Sequence, residues 1–260
     1  MFTKGTAPQR LTDTSADQRA PLGSIYIDDD GRFFRYTQAG ATALTAMALV
    51  QSNTTYTTAH ICGKTTSVPR TGELHKKGSG AVGFMTTTTS VAENAFSEGY
   101  VGQITSADGY IDQVSGHGAL TASTAGDVRY RHSVPNANNA IGSLRGFLYP
   151  NLYQGVIVAP TSITKPVLGI PQWGVEANYY FWMLVRGLGG CRRDDTPVEG
   201  DLLMPSPTTA GALTPWVLTV PAGTDAAGGT LTPGQQFPIA STVAYTSGAS
   251  NGALCLLNLP

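Results

Sequence analysis

Three adjacent carboxylates followed by a glycine, Asp28-Asp29-Asp30-Gly31, have the residue types of a calcium loop. Hard cations take oxygen ligands, but an EF-hand alternates them along the loop and closes with a glutamate at position twelve. Neither the three aspartates nor the residues after them supply that spacing. The alternation of Ile25 and Ile27 with Ser24 and Tyr26, and the strand-like Arg32-Phe33-Phe34-Arg35-Tyr36, make the acidic run the tip of a β-hairpin instead. Aspartate tolerates the left-handed backbone region and glycine enters it freely, so the turn accounts for Asp28, Asp29, Asp30 and Gly31, with Gly31 expected at positive φ.

Other groups fail on context. Gly78-Ser79-Gly80-Ala81-Val82-Gly83 fits the glycine pattern that cradles a dinucleotide pyrophosphate, but Lys76-Lys77 stand where an apolar strand should precede it and Thr86–Thr89 make a poor helix. The histidines, His60, His75, His117 and His132, are scattered singly without the i, i+4 pair of a zinc helix. His132 follows Val128 and Tyr130 by twos, which puts it on one strand face with them. Glu73, Glu93, Glu98, Glu176 and Glu199 offer no spacing that selects a glycosidase pair. No G-x-S-x-G elbow occurs, while a serine, histidine and acid brought together through space stay open. Arg192-Arg193-Asp194-Asp195 could grip an anion or a partner, and reads more simply as a solvated turn with local ion pairs. Cys62, Cys191 and Cys255 are odd in number, far apart and without C-x-x-C spacing, so they read as buried or neutral thiols. The expectation is a protein without catalytic residues, metal or cofactor.

Composition narrows the partners. Charged residues make up 13% of the 260-residue chain and the net charge is −1, so there is no basic excess for nucleic acid. Met1–Ala20 is polar throughout and no apolar run is long enough to cross a bilayer, which points to a protein made in the cytoplasm without a membrane partner. A chain this poor in charge and rich in glycine, proline and threonine presents an uncharged polar surface suited to assembly.

The elements that would hold these residues are strands. Short β-branched or aromatic segments at Thr54–Ile61, Ala81–Thr88, Gly99–Thr105, Tyr110–Ser115 and Asp127–Val134 alternate with glycine-rich turns. Asp108-Gly109 joins the third and fourth as a hairpin. Gly155–Ala159, Asp201–Met204, Trp216–Val220, Val243–Thr246 and Ala253–Leu257 add further strands, with Ile163–Pro171 an extended connector. Asn178–Arg186, the most hydrophobic segment, is expected at the centre of a sheet. Ala39–Gln51 alone carries near-helical spacing, through Leu44, Met47 and Val50. The fold class is therefore all-β: an extended arm over residues 1–20, whose composition cannot bury a core, then two β-barrel or β-sandwich subdomains at 21–150 and 151–260.

Two blocks carry a likeness. LGSIYIDDDGRFFRYTQAGATAL, from Leu22 to Leu44, and NLYQGVIVAPTSITKPVLGIPQWGVEANYYFWMLVRGLGG, from Asn151 to Gly190, resemble the decoration (cement or head-protein) family of tailed bacteriophages. Gly200-Asp201-Leu202 and Thr209-Ala210-Gly211 continue the resemblance, which covers about a third of the chain. It implies a virion component on the outer surface of the capsid, bound to the major capsid protein and assembled with itself as a homotrimer. On that footing the arm becomes the coat-binding element, with Lys4, Arg10 and Arg19 as polar contacts and Phe2 and Leu11 as apolar anchors. The rival expectation is a fibre or receptor-binding virion protein, in which Trp173 and Tyr179 stack on host glycans.

Overall fold

The computed structural model describes residues 2–3, 7–54, 61–62, 81–85, 90–104, 109–121, 125–132, 145–216, 239–245 and 252–259. All the regular structure among them is β, as the sequence predicts. The chain forms two compact units: Met1–Asn53 with Tyr153–Pro260, and Thr54–Leu152. This differs from a division into 21–150 and 151–260. The opening hairpin is a sheet partner of the later aromatic strand, so the first unit is discontinuous in sequence and the second is inserted into it.

Strands are numbered along the chain. In the first unit β1 (Phe2–Thr3), β2 (Ile25–Ile27), β3 (Phe33–Gln38), β13 (Tyr180–Arg192), β17 (Gly252–Asn258), β16 (Ala240–Tyr245), β14 (Leu202–Pro205) and β15 (Leu213–Pro215) form an eight-stranded sheet in that spatial order. All its pairings are antiparallel except β1 with β2. A smaller sheet sets β4 (Val50–Gln51) between β11 (Ile157–Val158) and β12 (Val167–Gly169). Tyr180-Phe181-Trp182-Met183-Leu184-Val185 suits the middle of a pleated sheet, and β13 lies there, running six residues beyond Arg186. One shared core takes Tyr26, Phe34, Tyr36 and Trp182 from the large sheet and Leu49, Ala159 and Ile170 from beside the small one. The Tyr36 and Trp182 rings meet edge to face at 5.0 Å, a geometry worth about 0.5–1.5 kcal/mol beyond the area it buries.

The described residues of the first twenty do not form a free arm. Gln9 is only 8% exposed, and its Nε2 donates to the carbonyls of Asp13 and Tyr180 at 2.7 and 3.1 Å. Its Oε1 accepts from the Tyr36 hydroxyl at 2.8 Å, and its carbonyl accepts from Trp182 Nε1 at 3.0 Å. Ser15 and Tyr180 exchange two backbone hydrogen bonds, while Phe2 packs edge-on against Trp182. This strap satisfies the polar ends of the buried aromatics, which a low apolar content does not prevent. Ala39–Gln51 is no helix either. Gly40 donates to the carbonyl of Val156, Leu44 bridges to Val175, and Met47 adopts φ +62°, so the backbone bonds go to neighbouring segments.

In the second unit β5 (Ile61–Cys62), β10 (Arg145–Tyr149), β7 (Tyr100–Ile104), β8 (Gly109–His117), β9 (Ala125–Tyr130) and β6 (Ala81–Met85) form one antiparallel sheet in that order. The β7–β8 pairing closes from Ile104 opposite Gly109, as the Asp-Gly signal predicts, although residues 105–108 lie outside those described. Val101, Val114, Leu120, Val128 and Leu148 form its core with Phe96.

Candidate docking surface

At the hairpin tip the chain turns through Gly31 at φ +82°, and Gly31 N donates to the carbonyl of Asp28 at 3.0 Å. The carboxylates do not converge on a void. Arg32 takes two of them: Nη2 lies 2.8 Å from Asp28 Oδ2 and Nε 2.7 Å from Asp30 Oδ2, the second contact being close but poorly aligned as a hydrogen bond. Asp28 Oδ1 also accepts from Asp29 N, and Asp30 Oδ1 from Arg32 N. The tip is an arginine clasp, and among the described residues no cluster of metal-ligating side chains occurs.

Arg32 then leans on the central strand. A register shift between Leu184 and Arg186 inserts an extra residue into β13, and Gly187 follows at φ +109°. A Cβ there would lie 2.9 Å from Arg32 Cγ, so only glycine lets the tip settle against the strand. Beyond Gly187 the outer face of the sheet is apolar. In β17 Ala253, Cys255 and Leu257 point into the core and Leu254 and Leu256 point out. The register sets Leu188 opposite Leu256, Leu256 opposite Ser241 and Ser241 opposite Leu202, one row across four strands. Leu188, Leu256 and Leu202 are 43%, 48% and 46% exposed. A groove of about 760 Å³ runs over this row, and the hairpin tip and Arg186 border it. Arg186 stands over the Phe33 ring at 5.8 Å and makes no ion pair among the described residues.

The remaining candidate groups are scattered. Asp194 is a loop anchor: the hydroxyls of Ser206, Thr208 and Thr209 donate to its carboxylate and hold its pKa below the ordinary value. Cys191 and Cys255 are both buried, on adjacent strands and in hydrogen-bond reach of each other, which with desolvation pushes the Cys255 thiol far up and leaves it neutral. His132 does not share the buried face of Val128 and Tyr130. It follows the end of β9, largely exposed, with Nδ1 2.9 Å from the buried carboxylate of Asp112. His117 is buried, and its Nε2 accepts from Phe96 N at 3.0 Å. No nucleophile stands beside either histidine in the hydrogen bonds of the described residues.

No protein-family model, no curated protein and no solved structure matches the chain. Of the arm residues expected to touch coat, Phe2 and Leu11 pack against the first unit's core, Arg10 and Arg19 are exposed, and Lys4 lies outside the described residues, as do His60, His75 and Gly78–Gly80. Trp173 is 52% exposed and Tyr179 half-buried, with no ring contact between them. The leucine row escaped the sequence reading. Its signal was there, in the leucines that β17 carries on both of its faces, when a sheet open to water on one side alternates apolar with polar.

Proposed function

We propose that the chain is a structural virion protein that decorates the assembled capsid of a tailed bacteriophage, binding subunits of the major capsid protein on its outer surface and stabilising them. The observation that carries this reading is where the two resembling blocks meet. They are separated by more than a hundred residues, yet β3 of the first, itself paired with β2, pairs directly with β13 of the second, and Leu44 bridges to Val175. The resemblance thus spans one continuous sheet with a common aromatic core, not two unrelated surface motifs. Low charge and an exposed apolar row suit a protein whose work is contact. Neither nucleic acid nor a membrane enters the scheme.

In this scheme the chain acts as a homotrimer, so that modest contacts add through avidity, and its two units are β-barrel or β-sandwich subdomains. Arg10 and Arg19, exposed on the strap, and Lys4 remain the coat-facing residues of the N-terminal segment. The purified protein mixed with undecorated capsids should co-sediment in proportion to coat subunits, and decorated shells should resist heat longer. Saturation at a few copies per particle would instead favour the fibre role, for which the exposed Trp173 is the one supporting feature.

A further inference from the structure

We infer that the leucine row on the outer face of the eight-stranded sheet is the surface that docks on the coat, and that the coat presents there an apolar patch with a carboxylate placed to meet Arg186. This rests on the decorating role proposed above and specifies the contact that performs it.

Three observations lead there. Leu188, Leu256, Leu202 and the neighbouring Leu254 and Val243 all lie on the outward side of the four strands that form one half of the sheet. Together they leave on the order of 400 Å² of apolar surface in contact with water, the scale at which a patch marks an interaction site and about half of one side of a standard interface. Among the described residues the sheet's borders offer little for strand addition. One edge is β1, two residues long, and the other is β15, three residues long and ending in Pro215. Edges so short, one of them finished by a residue without an amide hydrogen, give a partner strand almost nothing to pair with. Among the described residues the face therefore offers a partner far more than the edges do.

Charge then selects the partner. The basic groups at the head of the groove are Arg32 and Arg186, but Arg32 is already committed to Asp28 and Asp30. Arg186 has its guanidinium over the Phe33 ring and no carboxylate of the described chain within ion-pair distance. An aromatic support holds such a side chain extended, and a guanidinium fixed at the rim of an apolar patch pairs best with an incoming carboxylate. A second copy of the same face would bring arginine against arginine, so face-to-face self-association is disfavoured by the feature that favours an acidic coat.

The test uses the full chain and coat shells assembled without it, with binding read by co-sedimentation over a range of protein concentrations. Leu256→Asp and Leu188→Asp place a charge on an exposed position, so each variant should keep the wild-type β spectrum and melting temperature, while its affinity for shells falls at least about tenfold. Arg186→Glu should weaken binding several-fold, and the wild type's affinity should fall as salt rises more steeply than this variant's. If both leucine variants bind within about twofold of wild type, the row is not the docking surface, although decoration itself stands. Wild-type protein that leaves the shells bare overturns the decorating role and this surface with it. A wild-type oligomer that the leucine variants break into monomers, with shell binding per chain retained, assigns the row to self-assembly and overturns the proposal.

Discussion

Single residues show where local chemistry is committed. Gly31 has nothing within 4 Å of where a Cβ would stand, so the cost of a side chain there is conformational alone. Gly31→Val, which puts a β-branched residue at φ +82°, should destabilise the first unit by about 1–3 kcal/mol, visible as a lower melting temperature. Asp194 supports a pH argument. Its carboxylate is stabilised by three hydroxyl donors, so its folded pKa lies below that of an ordinary aspartate. A depressed folded pKa gives stability that is fully present above the unfolded value and lost as pH falls through the folded one. Asp194→Asn should therefore lower the melting temperature at neutral pH, and the gap to wild type should shrink below about pH 4. The group is largely exposed, so the effect will be small; a gap that does not change with pH would show that the carboxylate's charge contributes nothing. The Gly31 conformation was legible because Asp-Asp-Asp-Gly between two alternating strands leaves few turn geometries. The hydroxyl cage was not, because Asp194 and Ser206–Thr209 meet only once the strands are paired.

Elements show which patterns could be trusted. The run Asn178–Arg186 announced a central strand by its aromatic and β-branched density, and β7 and β8 announced themselves by alternation about an Asp-Gly turn. The strap and the supposed helix misled for opposite reasons. Mean composition made residues 1–20 seem coreless, yet a single glutamine there holds Tyr36, Tyr180 and, through its carbonyl, Trp182. Leu44, Met47 and Val50 have helical spacing, but Gly40 and the left-handed Met47 interrupt any helix. His132 was misplaced because β9 ends at Tyr130 and the period of two ends with it. The strap gives a prediction opposite to that of a free arm. A chain beginning at Pro21 uncovers Trp182 and leaves the Tyr36 hydroxyl without Gln9, so it should lose cooperative unfolding or precipitate. The milder Gln9→Ala should cost about 1–3 kcal/mol, the usual penalty for stranding buried polar partners. A Pro21 chain that melts like the full protein would mean that the strap adds nothing to the fold.

At the scale of the molecule, the second unit is an insertion with its own sheet and core, entered at Thr54 and left at Leu152. Replacing residues 54–152 with a short glycine-serine linker should leave the first unit folded, with a cooperative melt and a β spectrum, because every strand of its eight-stranded sheet and its whole aromatic cluster lie outside the deleted span. An aggregated product would show that the first unit needs the second to fold.

The insertion also sets an order of events during synthesis. Gln38 pairs with Tyr180, so β3 leaves the ribosome more than a hundred residues before the strand that completes it. At ordinary elongation rates that interval is on the order of ten seconds, long against the folding of a small domain, and the inserted unit can finish first. Meanwhile Tyr26, Phe34 and Tyr36 wait without Trp182 to cover them. The nascent chain thus carries an unfinished aromatic hairpin past a completed neighbour, and that interval is when a chaperone would have the most to hold.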